Sequence, residues 1–449
     1  MTKLLSSLKT IGTLVLLLIT FPISCTVVIL SLLWDSIISR LFFKAPVAPE
    51  KSQNILLNGG KMTKALQLAR LFRAAGHKVF LVETEKYWLS GHRFSNAVER
   101  FYTVPAPESN QEGYSQALLD IVKKENIDIF IPVSSAAGSY YDSLASSVLS
   151  PHCEVFHFDV DTVQLLDNKF DLSEKARSLG LSAPKTFLIT EPEQVLNFDF
   201  SAEIHPYILK SIAYDSVSRL DMTKLPMISS EEMAAYVRSK PISKDNPWIM
   251  QEFISGQEYC THSTVRDGVV RLHCCAKSSA FQVNYEHVDN LQILQWVTHF
   301  VTSLKLTGQI SFDFIQAEDG TAYVIECNPR THSAITMFYN HPGVADAYLK
   351  LDIDLEAEPL QPLPDSKPTY WLYHELWRLT EIRSLAQLQE WMQKITRGTD
   401  AMFSINDPLP FLGVHNWQIP LLLLNNLRKF KGWVRIDFNI GKLVEIGGD

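Results

Sequence analysis

The feature that most constrains this sequence is a hairpin pattern over residues 308–330, GQISFDFIQAEDGTAYVIECNPR. Two segments in which apolar and polar residues alternate flank an Asp-Gly pair at 319–320, which is the strongest short-range signal for a β-hairpin. If these two residues form the loop, Asp313 lies directly opposite Glu326, and Asn328 points to the same face because side chains alternate along a strand. The sequence therefore predicts an antiparallel hairpin that carries two carboxylates side by side.

The opposed carboxylates predict a cation site. Side chains directly across a ladder have Cβ atoms about 4.5–5.5 Å apart, and two like charges there destabilise the strand pair unless a cation lies between them. Ligands that are all oxygen atoms favour Mg²⁺, which takes one or two carboxylates together with phosphate oxygens and water. The alternative is a solvated pair on an exposed face. The opposite, core-facing side of the hairpin is expected to carry Phe312, Phe314, Tyr323 and Ile325.

A second feature is the uncharged apolar segment at residues 11–33, which is long enough to cross the ~30 Å hydrocarbon layer of a bilayer as a helix. We expect residues 1–50 to form an uncleaved membrane anchor and its linker. A cleaved signal peptide is the competing interpretation, although the apolar run is longer than usual and no clean A-x-A site follows it. Lipid attachment at Cys25 is a weaker alternative, and Pro22 allows a hairpin in place of a single span.

Net charge excludes one broad class of function. The chain of 449 residues has 41 Lys and Arg against 49 Asp and Glu, which gives a net charge of −8. Proteins that bind nucleic acids in general carry a basic domain. We therefore expect no nucleic-acid partner.

Strand and helix patterns divide the rest of the chain. Residues 51–165 alternate strands and helices, as in a small doubly wound, Rossmann-like α/β domain. The Gly59-Gly60 turn after its first strand either holds an anion on free backbone N–H groups or is an ordinary tight turn, since it lacks the GxGxxG spacing. Residues 166–350 contain sheet segments and an amphipathic helix, and a Pro-rich stretch marks a smaller α+β region at 351–449.

Three further motifs precede the hairpin in a fixed order: LLDNKFDL, YILKSI and WIMQEFISGQE. Together with the D-x12-E-x-N-P-R pattern of the hairpin, they resemble the metal and phosphate signature of the ATP-grasp ligases. The resemblance implies a Rossmann-like pre-ATP-grasp domain at 51–165 and an α+β ATP-grasp domain at 166–350. It also implies that ATP binds between two sheets together with Mg²⁺ or Mn²⁺.

The resemblance assigns a role to each matching residue. The residues that would contact ATP are Lys169 and Lys210 on the phosphates, Gln251, Phe253 and Ile254 at the adenine edge, and Glu258 on the ribose hydroxyls. The metal ligands would be Asp313, Glu326 and Asn328, and the catalytic candidates would be Arg330 on the transferred phosphate and Lys210. His332 is a further catalytic candidate because it lies near Arg330 in the sequence, where it could serve the glycine substrate. Taken singly, such lysines are ordinary surface or strand-end residues, and His332 is as readily a packing histidine. The loop after Lys210 lacks the glycines of the family's phosphate lid, which leaves Ser211, Ser216 and Ser218 as donors there.

Further segments, among them KMTKALQLARLF, EKYWLSGHRFS and ECNPRTHSAITMFYNHPGVADAY, resemble the family of mycosporine-glycine synthases. This resemblance implies an enzyme that joins glycine to 4-deoxygadusol by phosphorylating the enol oxygen and displacing phosphate with the glycine amine. Two alternatives stay open: a conventional ATP-grasp carboxylate–amine ligase acting on another acid, and a non-catalytic nucleotide-binding membrane protein. Because ATP is consumed, we expect the catalytic domains on the cytoplasmic side of the membrane.

Overall fold

The computed structural model describes residues 3–41, 51–133, 135–212, 221–278, 284–352 and 358–445. Ser216 and Ser218, two of the candidate donors of a phosphate lid, lie outside the described residues. Most of the linker that follows the first helix lies outside them as well.

The apolar segment near the start of the chain forms one continuous helix, α1, at Lys3–Leu41. The helix runs through Pro22 without reversing, so the chain forms no hairpin there. Among the described helices, only α1 is long and apolar enough to cross a membrane, over Ser6–Ile38, by the criteria of length and composition alone. Signal sequences and the core helices of soluble proteins can meet the same criteria.

One side of α1 packs against the carboxyl-terminal region. Trp433 donates its indole N–H to Thr10 Oγ1 at 2.9 Å, and Asn416 donates to the carbonyl of Leu17 at 3.2 Å. The ammonium of Lys9 lies 3.9 Å from the centroid of the Trp433 ring. On the other sides, large side chains such as Leu18 are exposed. Polar side chains and the buried Leu17 therefore join α1 to the rest of the protein, while many of its other large apolar side chains point outward.

A parallel sheet of five strands follows α1, in the order β3-β2-β1-β4-β5. The strands are β1 Asn54–Leu57, β2 Lys78–Thr84, β3 Arg100–Val104, β4 Ile129–Ile131 and β5 Glu154–Val155, and the helices are α2 Thr63–Ala74, α3 Gln111–Glu125 and α4 Ala136–Leu149. Residues 55–57 are all buried, as expected for a parallel strand that is covered on both faces. In such sheets ligands bind where the strand order reverses, here between β1 and β4. The Gly59-Gly60 turn lies at this point.

Two antiparallel sheets come next. The smaller sheet, in the order β6-β8-β7, contains β6 Thr186–Ile189, β7 Tyr207–Ser211 and β8 Trp248–Glu252. The larger sheet, in the order β10-β9-β12-β13, contains β9 Gln257–Arg266, β10 Val269–Lys277, β12 Gly308–Gln316 and β13 Ala322–Asn328, and the short β11 at Asn284–Tyr285 lies outside it. The helices of this part are α5 Val160–Asp167, α6 Lys169–Ser178, α7 Pro192–Leu196, α8 Ser230–Arg238 and α9 Leu291–Ser303. Trp296 of α9 packs edge-on against Phe312 and Phe314, which holds the helix on the core face of β12.

The loop of the β12–β13 hairpin is one residue longer than the Asp-Gly pair suggests. The N–H of Ala317 donates to the carbonyl of Thr321 at 3.0 Å, so residues 318–320 form a three-residue loop. Gly320 has a φ of +87°, the left-handed conformation that closes such loops and favours glycine. The expected two-residue loop was therefore wrong.

A β-bulge restores the predicted pairing of the carboxylates. The register shifts by one residue directly after Asp313, and Asp313 lies opposite Glu326, as predicted. Between the bulge and the loop, the shift reverses which residues of β13 face the core. Val324 is buried there, whereas Tyr323 and Ile325 are only partly buried. The expectation that Tyr323 and Ile325 line the core was wrong for this reason.

The carboxyl-terminal region packs against the parallel-sheet domain. It contains β14 Thr369–Tyr370, β15 Thr399–Asp400, β16 Trp433–Asp437 and β17 Lys442–Glu445, with helices α11 Leu372–Arg378, α12 Leu385–Arg397, α13 Leu409–Gly413 and α14 Ile419–Arg428, and α10 Val344–Leu349 precedes it. Arg70 of α2 donates to the carboxylate of Asp407 at 2.8 Å, and Trp371 donates to Thr63 Oγ1 at 3.0 Å. β11 of the middle part pairs with β14, and Trp371, which follows β14, contacts Thr63 at the start of α2. All three parts of the chain therefore meet near the start of α2.

Candidate functional site

Lys169 brings a positive charge to the acidic face of the hairpin. It is the first residue of α6, and its ammonium lies 3.3 Å from Glu326 Oε1. The side chain of Asn168 caps the helix by accepting the N–H of Phe170 at 2.9 Å, which fixes the point at which Lys169 leaves the backbone. The Glu326 side chain is 41% exposed. The contact therefore lies in an open cleft that a ligand can enter.

Lys210 and Glu258 add one charge of each sign to this cleft. Lys210 lies on β7 of the smaller sheet, where burial lowers its pKa and the charge of Glu326 opposes that effect. Glu258 lies on β9 opposite Ile315 of β12, and its charge acts on both Lys210 and Asp313. The smaller sheet thus contributes the positive charge of Lys210 to the cleft, and the larger sheet contributes the negative charge of Glu258.

The two opposed carboxylates differ in their electrostatic balance. Burial, together with the charges of Glu326 and Glu258, raises the pKa of Asp313. Although Glu326 is partly exposed, its partial withdrawal from water disfavours the charged form, but Lys169, Lys210 and Arg330 outweigh that effect and lower the pKa of Glu326. The cations thus stabilise the charge on Glu326, while the charge on Asp313 is poorly balanced.

The oxygen donors at this position fit a hard divalent cation. The described residues contain no group of three or more His, Cys, Asp and Glu side chains that could hold a metal. Mg²⁺ does not need one, because it takes one or two carboxylates and completes its shell with phosphate oxygens and water. A divalent cation between Asp313 and Glu326 would relieve the repulsion that raises the pKa of Asp313. Asn328, two residues after Glu326, adds an amide oxygen donor near the pair.

The segment expected at the adenine edge leads from β8 toward β9. Gln251 is buried in β8, and its amide donates to Thr186 Oγ1 at 3.4 Å. The N–H of Phe253 donates to the carbonyl of Pro206 at 2.7 Å, so that N–H is already used within the protein. An adenine edge that requires a backbone donor would have to meet the neighbouring Ile254 instead.

A turn after β13 carries Arg330, and the parallel-sheet domain holds this turn in place. Ser139 of α4 donates to the carbonyl of Pro329 at 2.8 Å, and Lys64 of α2 donates to the carbonyl of Thr331 at 2.6 Å. The hydroxyl of Thr331 donates to Gln309 at 2.6 Å. Arg330 Nη1 is buried and has no hydrogen-bond partner within the described ranges of the chain.

Comparison with known proteins agrees with this geometry. A family model described as the ATP-grasp domain matches residues 167–334. The chain carries an ATP-grasp domain. The predicted fold class, in which a parallel-sheet α/β domain precedes an ATP-grasp domain, is therefore confirmed.

Several solved structures share this architecture at low sequence identity. An L-amino acid ligase from Bacillus licheniformis is 16% identical with a TM-score of 0.50, over 69% of this chain and 76% of that one. A carboxyaminoimidazole ribonucleotide synthase from Aspergillus clavatus, complexed with ATP, is 14% identical with a TM-score of 0.51, over 71% and 80%. A biotin carboxylase from Campylobacter jejuni is 14% identical with a TM-score of 0.52, over 67% and 72%. At these identities the likeness concerns the fold alone.

His332 of the ATP-grasp domain is embedded in a hydrogen-bonded turn. Its Nδ1 accepts the N–H of Ala334 at 3.2 Å, and its own N–H donates to His262 Nδ1 at 3.3 Å. Burial and the charges of Lys64 and Arg330 lower the pKa of His332 to about 3. A neutral ring whose Nδ1 accepts a hydrogen bond carries its proton on Nε2. His332 is therefore suited to donating a hydrogen bond and poorly suited to taking a proton from an ammonium group.

Several residues around the ATP-grasp cleft were missed by sequence reasoning. Asp167 ends α5, and its negative charge opposes the effect of burial on the pKa of Arg330. Asp167 lies two residues before Lys169 in the motif LLDNKFDL, so that motif already pointed to its neighbourhood. Lys64 is buried on α2 in line with the apolar positions 68 and 71, and a lysine in an apolar stripe is a signal that the sequence does contain. For Asn439, which also reaches this region, the sequence offers no comparable signal.

Proposed function

We propose that this chain is an ATP-dependent C–N ligase that joins glycine to 4-deoxygadusol and releases ADP and phosphate. The observation that carries the ligase activity is the opposed pair Asp313 and Glu326, with Lys169 in contact with Glu326, in an ATP-grasp domain. The choice of substrates rests on the sequence segments that resemble the mycosporine-glycine synthases. Two of these segments, KMTKALQLARLF and ECNPRTHSAITMFYNHPGVADAY, meet in the contact between Lys64 and Thr331.

The charged residues of the cleft suit the binding of a nucleoside triphosphate. Phosphoryl transfer depends on positioning and charge neutralisation more than on covalent help from the protein. Lys169 and Lys210 approach Glu326 from α6 and β7, and both would contact phosphate oxygens. Asp313, Glu326 and Asn328 would hold Mg²⁺ or Mn²⁺. When bound, this ion neutralises phosphate charge and so favours the approach of the acceptor oxygen.

The acceptor in this proposal is an enolised 1,3-dicarbonyl compound, which is a vinylogous carboxylic acid. Its enol oxygen forms a bond to the γ-phosphorus of ATP while the bond from that phosphorus to ADP breaks. The glycine amine then adds to the carbon that carries the phosphate, and phosphate leaves with the former enol oxygen. The amine loses a proton, and the product is an enaminone. Arg330 stabilises the negative charge on the transferred phosphate in both steps.

A turnover assay with purified full-length protein tests the proposal. The protein is incubated with Mg·ATP, 4-deoxygadusol and each amino acid in turn, and both ADP and near-ultraviolet absorbance are followed. We expect a red-shifted product with glycine and ADP release that requires 4-deoxygadusol. ADP release with an ordinary carboxylate alone would show a conventional carboxylate–amine ligase instead. No ADP release with any acceptor would contradict the ligase proposal and favour the non-catalytic alternative.

We also infer that α1 attaches the protein to a membrane, with the ATP-grasp domain on the cytoplasmic side where ATP is available. The support is the length and apolar composition of Ser6–Ile38 and the outward-facing side chains such as Leu18. Carbonate extraction of membranes and protease digestion of sealed vesicles test this inference. We expect the chain to stay in the membrane fraction after carbonate extraction. We expect protease to digest the ATP-grasp domain only in vesicles whose cytoplasmic face points outward. Recovery of the intact chain in the soluble fraction would contradict it.

A further inference from the structure

We propose that α1 lies along the membrane without crossing it, and that α1 and α14 together form one surface that enters a single leaflet containing anionic lipids. This inference rests on the membrane attachment proposed above and specifies its geometry. We call the surface the leaflet surface, and the residues that define it are Leu18, Ile23, Leu421, Leu424, Arg428 and Lys429.

Side-chain contacts hold the first half of α1 against the carboxyl-terminal region. The ammonium of Lys9 donates to the carbonyl of Val434 in β16 at 2.8 Å. The hydroxyls of Thr20 and Tyr373, which belongs to α11, lie 3.4 Å apart. Because Lys9 and Thr20 are 11 residues apart, these contacts extend over about 16 Å of helix. The start of α1 is therefore fixed to the rest of the protein along its length and not only at one point.

The end of α1 is tied to the same side of a membrane by the short connection to β1. Twelve residues separate Leu41, the last residue of α1, from Asn54, the first residue of β1. As a helix, such a segment extends about 18 Å, which is less than the ~30 Å hydrocarbon layer. As an extended chain, it would place unpaired backbone groups and the charges of Lys44, Glu50 and Lys51 in lipid. An α1 that keeps its contacts with the protein thus begins and ends on one side of the bilayer.

The two sides of α1 differ as a helix that lies in a membrane surface requires. Ser6, Ser24 and Ser31 are buried, so the chain covers this small, polar side well beyond the middle of the helix. The other side carries large apolar residues, and Leu18 and Ile23 are 70% and 64% exposed. A helix with one apolar face open to the surroundings inserts that face into the boundary between headgroups and acyl chains.

The apolar surface of α1 continues onto the carboxyl-terminal helices. A groove of about 740 Å³ lies between them, with Leu18 and Phe21 of α1 on one side and Leu409 and Leu424 of α13 and α14 on the other. All four side chains are exposed, as is Leu421, one turn before Leu424. Contiguous apolar surface of this kind marks a site of interaction with a protein or a membrane.

Charge favours an anionic leaflet over a protein partner. Residues 417–436 contain four Lys and Arg and no Asp or Glu, in a chain whose net charge is −8. Arg428 and Lys429 are exposed at the end of α14, and basic residues beside an apolar helix attract anionic headgroups. A second copy of the chain is the competing occupant. In a symmetric dimer built on this surface, the two basic segments would share one interface and repel each other.

The depth of α1 and α14 in a bilayer tests the inference. A fluorophore is attached to Ile23→Cys, Leu421→Cys or Leu188→Cys in full-length protein whose partly buried Cys25 and Cys153 are replaced with Ser. The protein is reconstituted into vesicles of phosphatidylcholine and phosphatidylglycerol that carry a nitroxide either near the headgroup or near the end of the acyl chain. Leu188 of β6 is the matched control, since it is 40% exposed and Leu421 is 37% exposed.

We expect the nitroxide near the headgroup to quench the fluorophores at Ile23 and Leu421 and to leave the fluorophore at Leu188 unquenched. At Ile23 it should quench more strongly than the nitroxide near the chain end, because the whole helix lies at one shallow depth. Stronger quenching of Ile23 by the nitroxide near the chain end would show a spanning helix and overturn the inference. Absence of quenching at Leu421 would overturn the shared surface and indicate that a second copy covers it.

The charge of the leaflet surface is tested by the double variant Arg428→Gln, Lys429→Gln. The measured quantity is the ratio of binding to phosphatidylcholine–phosphatidylglycerol vesicles over binding to phosphatidylcholine vesicles. We expect this ratio to fall about 10–30-fold, since each basic residue near an anionic surface strengthens binding several-fold. The matched control is Lys123→Gln, Lys124→Gln, an exposed basic pair at the end of α3, which should leave the ratio unchanged. An equal ratio in the wild-type protein and the Arg428 and Lys429 variant would contradict the choice of an anionic leaflet.

The same vesicles separate this inference from the membrane attachment on which it rests. Wild-type protein that does not float with vesicles of either composition would overturn both. Protein that floats with the vesicles while Ile23 is quenched most strongly from the chain end would leave the attachment standing and overturn the arrangement in one leaflet. The ligase activity is measured separately by the turnover assay.

Discussion

Asp313 and Glu326 lie directly opposite each other across the β12–β13 ladder, and Lys169 reaches Glu326 at 3.3 Å. Their partners come from different elements: α6, the smaller sheet and the turn that carries Arg330. Two carboxylates at neighbouring positions with cations around one of them form an unbalanced charge pattern. We expect bound Mg·ATP to balance this pattern.

Replacing Glu326 with Gln should abolish ligase activity while the protein stays folded. The amide removes the charge that the cations stabilise, and the loss in kcat is expected to be about 10²–10³-fold, as for the removal of a single electrostatic contact to the transition state. The measurement is ADP release at saturating Mg·ATP, with thermal unfolding as a check on the fold. Glu318→Gln is the matched control, since Glu318 lies exposed in the loop of the same hairpin. Full activity in the Glu326 variant would remove the metal assignment.

Replacing Lys210 with Met should weaken the binding of Mg·ADP. Lys210 is the only residue of β7 whose charge acts on Glu326 in the described structure, and its ammonium would meet phosphate oxygens. We expect an increase in the dissociation constant of about 10–100-fold, which corresponds to one charge-assisted contact. Lys185→Met is the control, because that lysine directly precedes β6 of the same sheet and pairs with Glu203 at 2.8 Å. Equal nucleotide affinity in the Lys210 variant and the wild-type protein would contradict the phosphate role.

Gly441 provides a test of the contact between the carboxyl-terminal region and the Gly59-Gly60 turn. It has a φ of +62°, and a Cβ at this position would lie 2.4 Å from the carbonyl oxygen of Lys61. Gly441→Ala should therefore displace the loop in which Asn439 donates to Ser333 Oγ at 2.7 Å, disturb the turn that carries Arg330, and raise the KM for the acceptor. Gly180→Ala is the control, since Gly180 has a φ of +75° but open space around it. That variant should cost about 1 kcal/mol in stability from backbone strain and leave the KM unchanged. Equal acceptor KM values in the two variants would contradict the prediction.

Stability should fall as the pH decreases from 6.5 toward 3. Burial lowers the pKa of His92, His273 and His415 from 6.5 to about 3. In this interval the unfolded chain takes up protons that the folded protein excludes, so the stability present above pH 6.5 is lost as the pH falls. The loss is at most about 1.4 kcal/mol per pH unit for each histidine.

Urea unfolding at pH 7 and pH 5.5 measures this effect. His415→Gln should reduce the difference in unfolding free energy between the two pH values, because one buried group no longer titrates in the unfolded chain. The control is His152→Gln, since His152 is exposed and should leave the difference unchanged. An equal pH difference in the wild-type protein and in His415→Gln would contradict this explanation of acid sensitivity.

The site was predictable from sequence where short motifs determine it. The pairing of Asp313 with Glu326 was predicted from alternation and the Asp-Gly signal, although a three-residue loop and a bulge together produce it. Local alternation does not reveal a bulge, so the sequence predicted the wrong face of β13 to point toward the core near the loop. The contact of Lys64 with Thr331 spans 267 residues. No local pattern contains such a contact, because it depends on how separate domains pack.

Transfer of an oxygen atom from acceptor to phosphate would show directly that the enol oxygen is phosphorylated. The enol oxygen of 4-deoxygadusol is labelled with ¹⁸O, the full-length protein is supplied with Mg·ATP and glycine, and the released phosphate is analysed by mass spectrometry. If the enol oxygen attacks the γ-phosphoryl group and leaves with it, each phosphate formed with product carries one ¹⁸O atom. Product accompanied by unlabelled phosphate, or labelled acceptor left unchanged while ADP accumulates, would contradict the account.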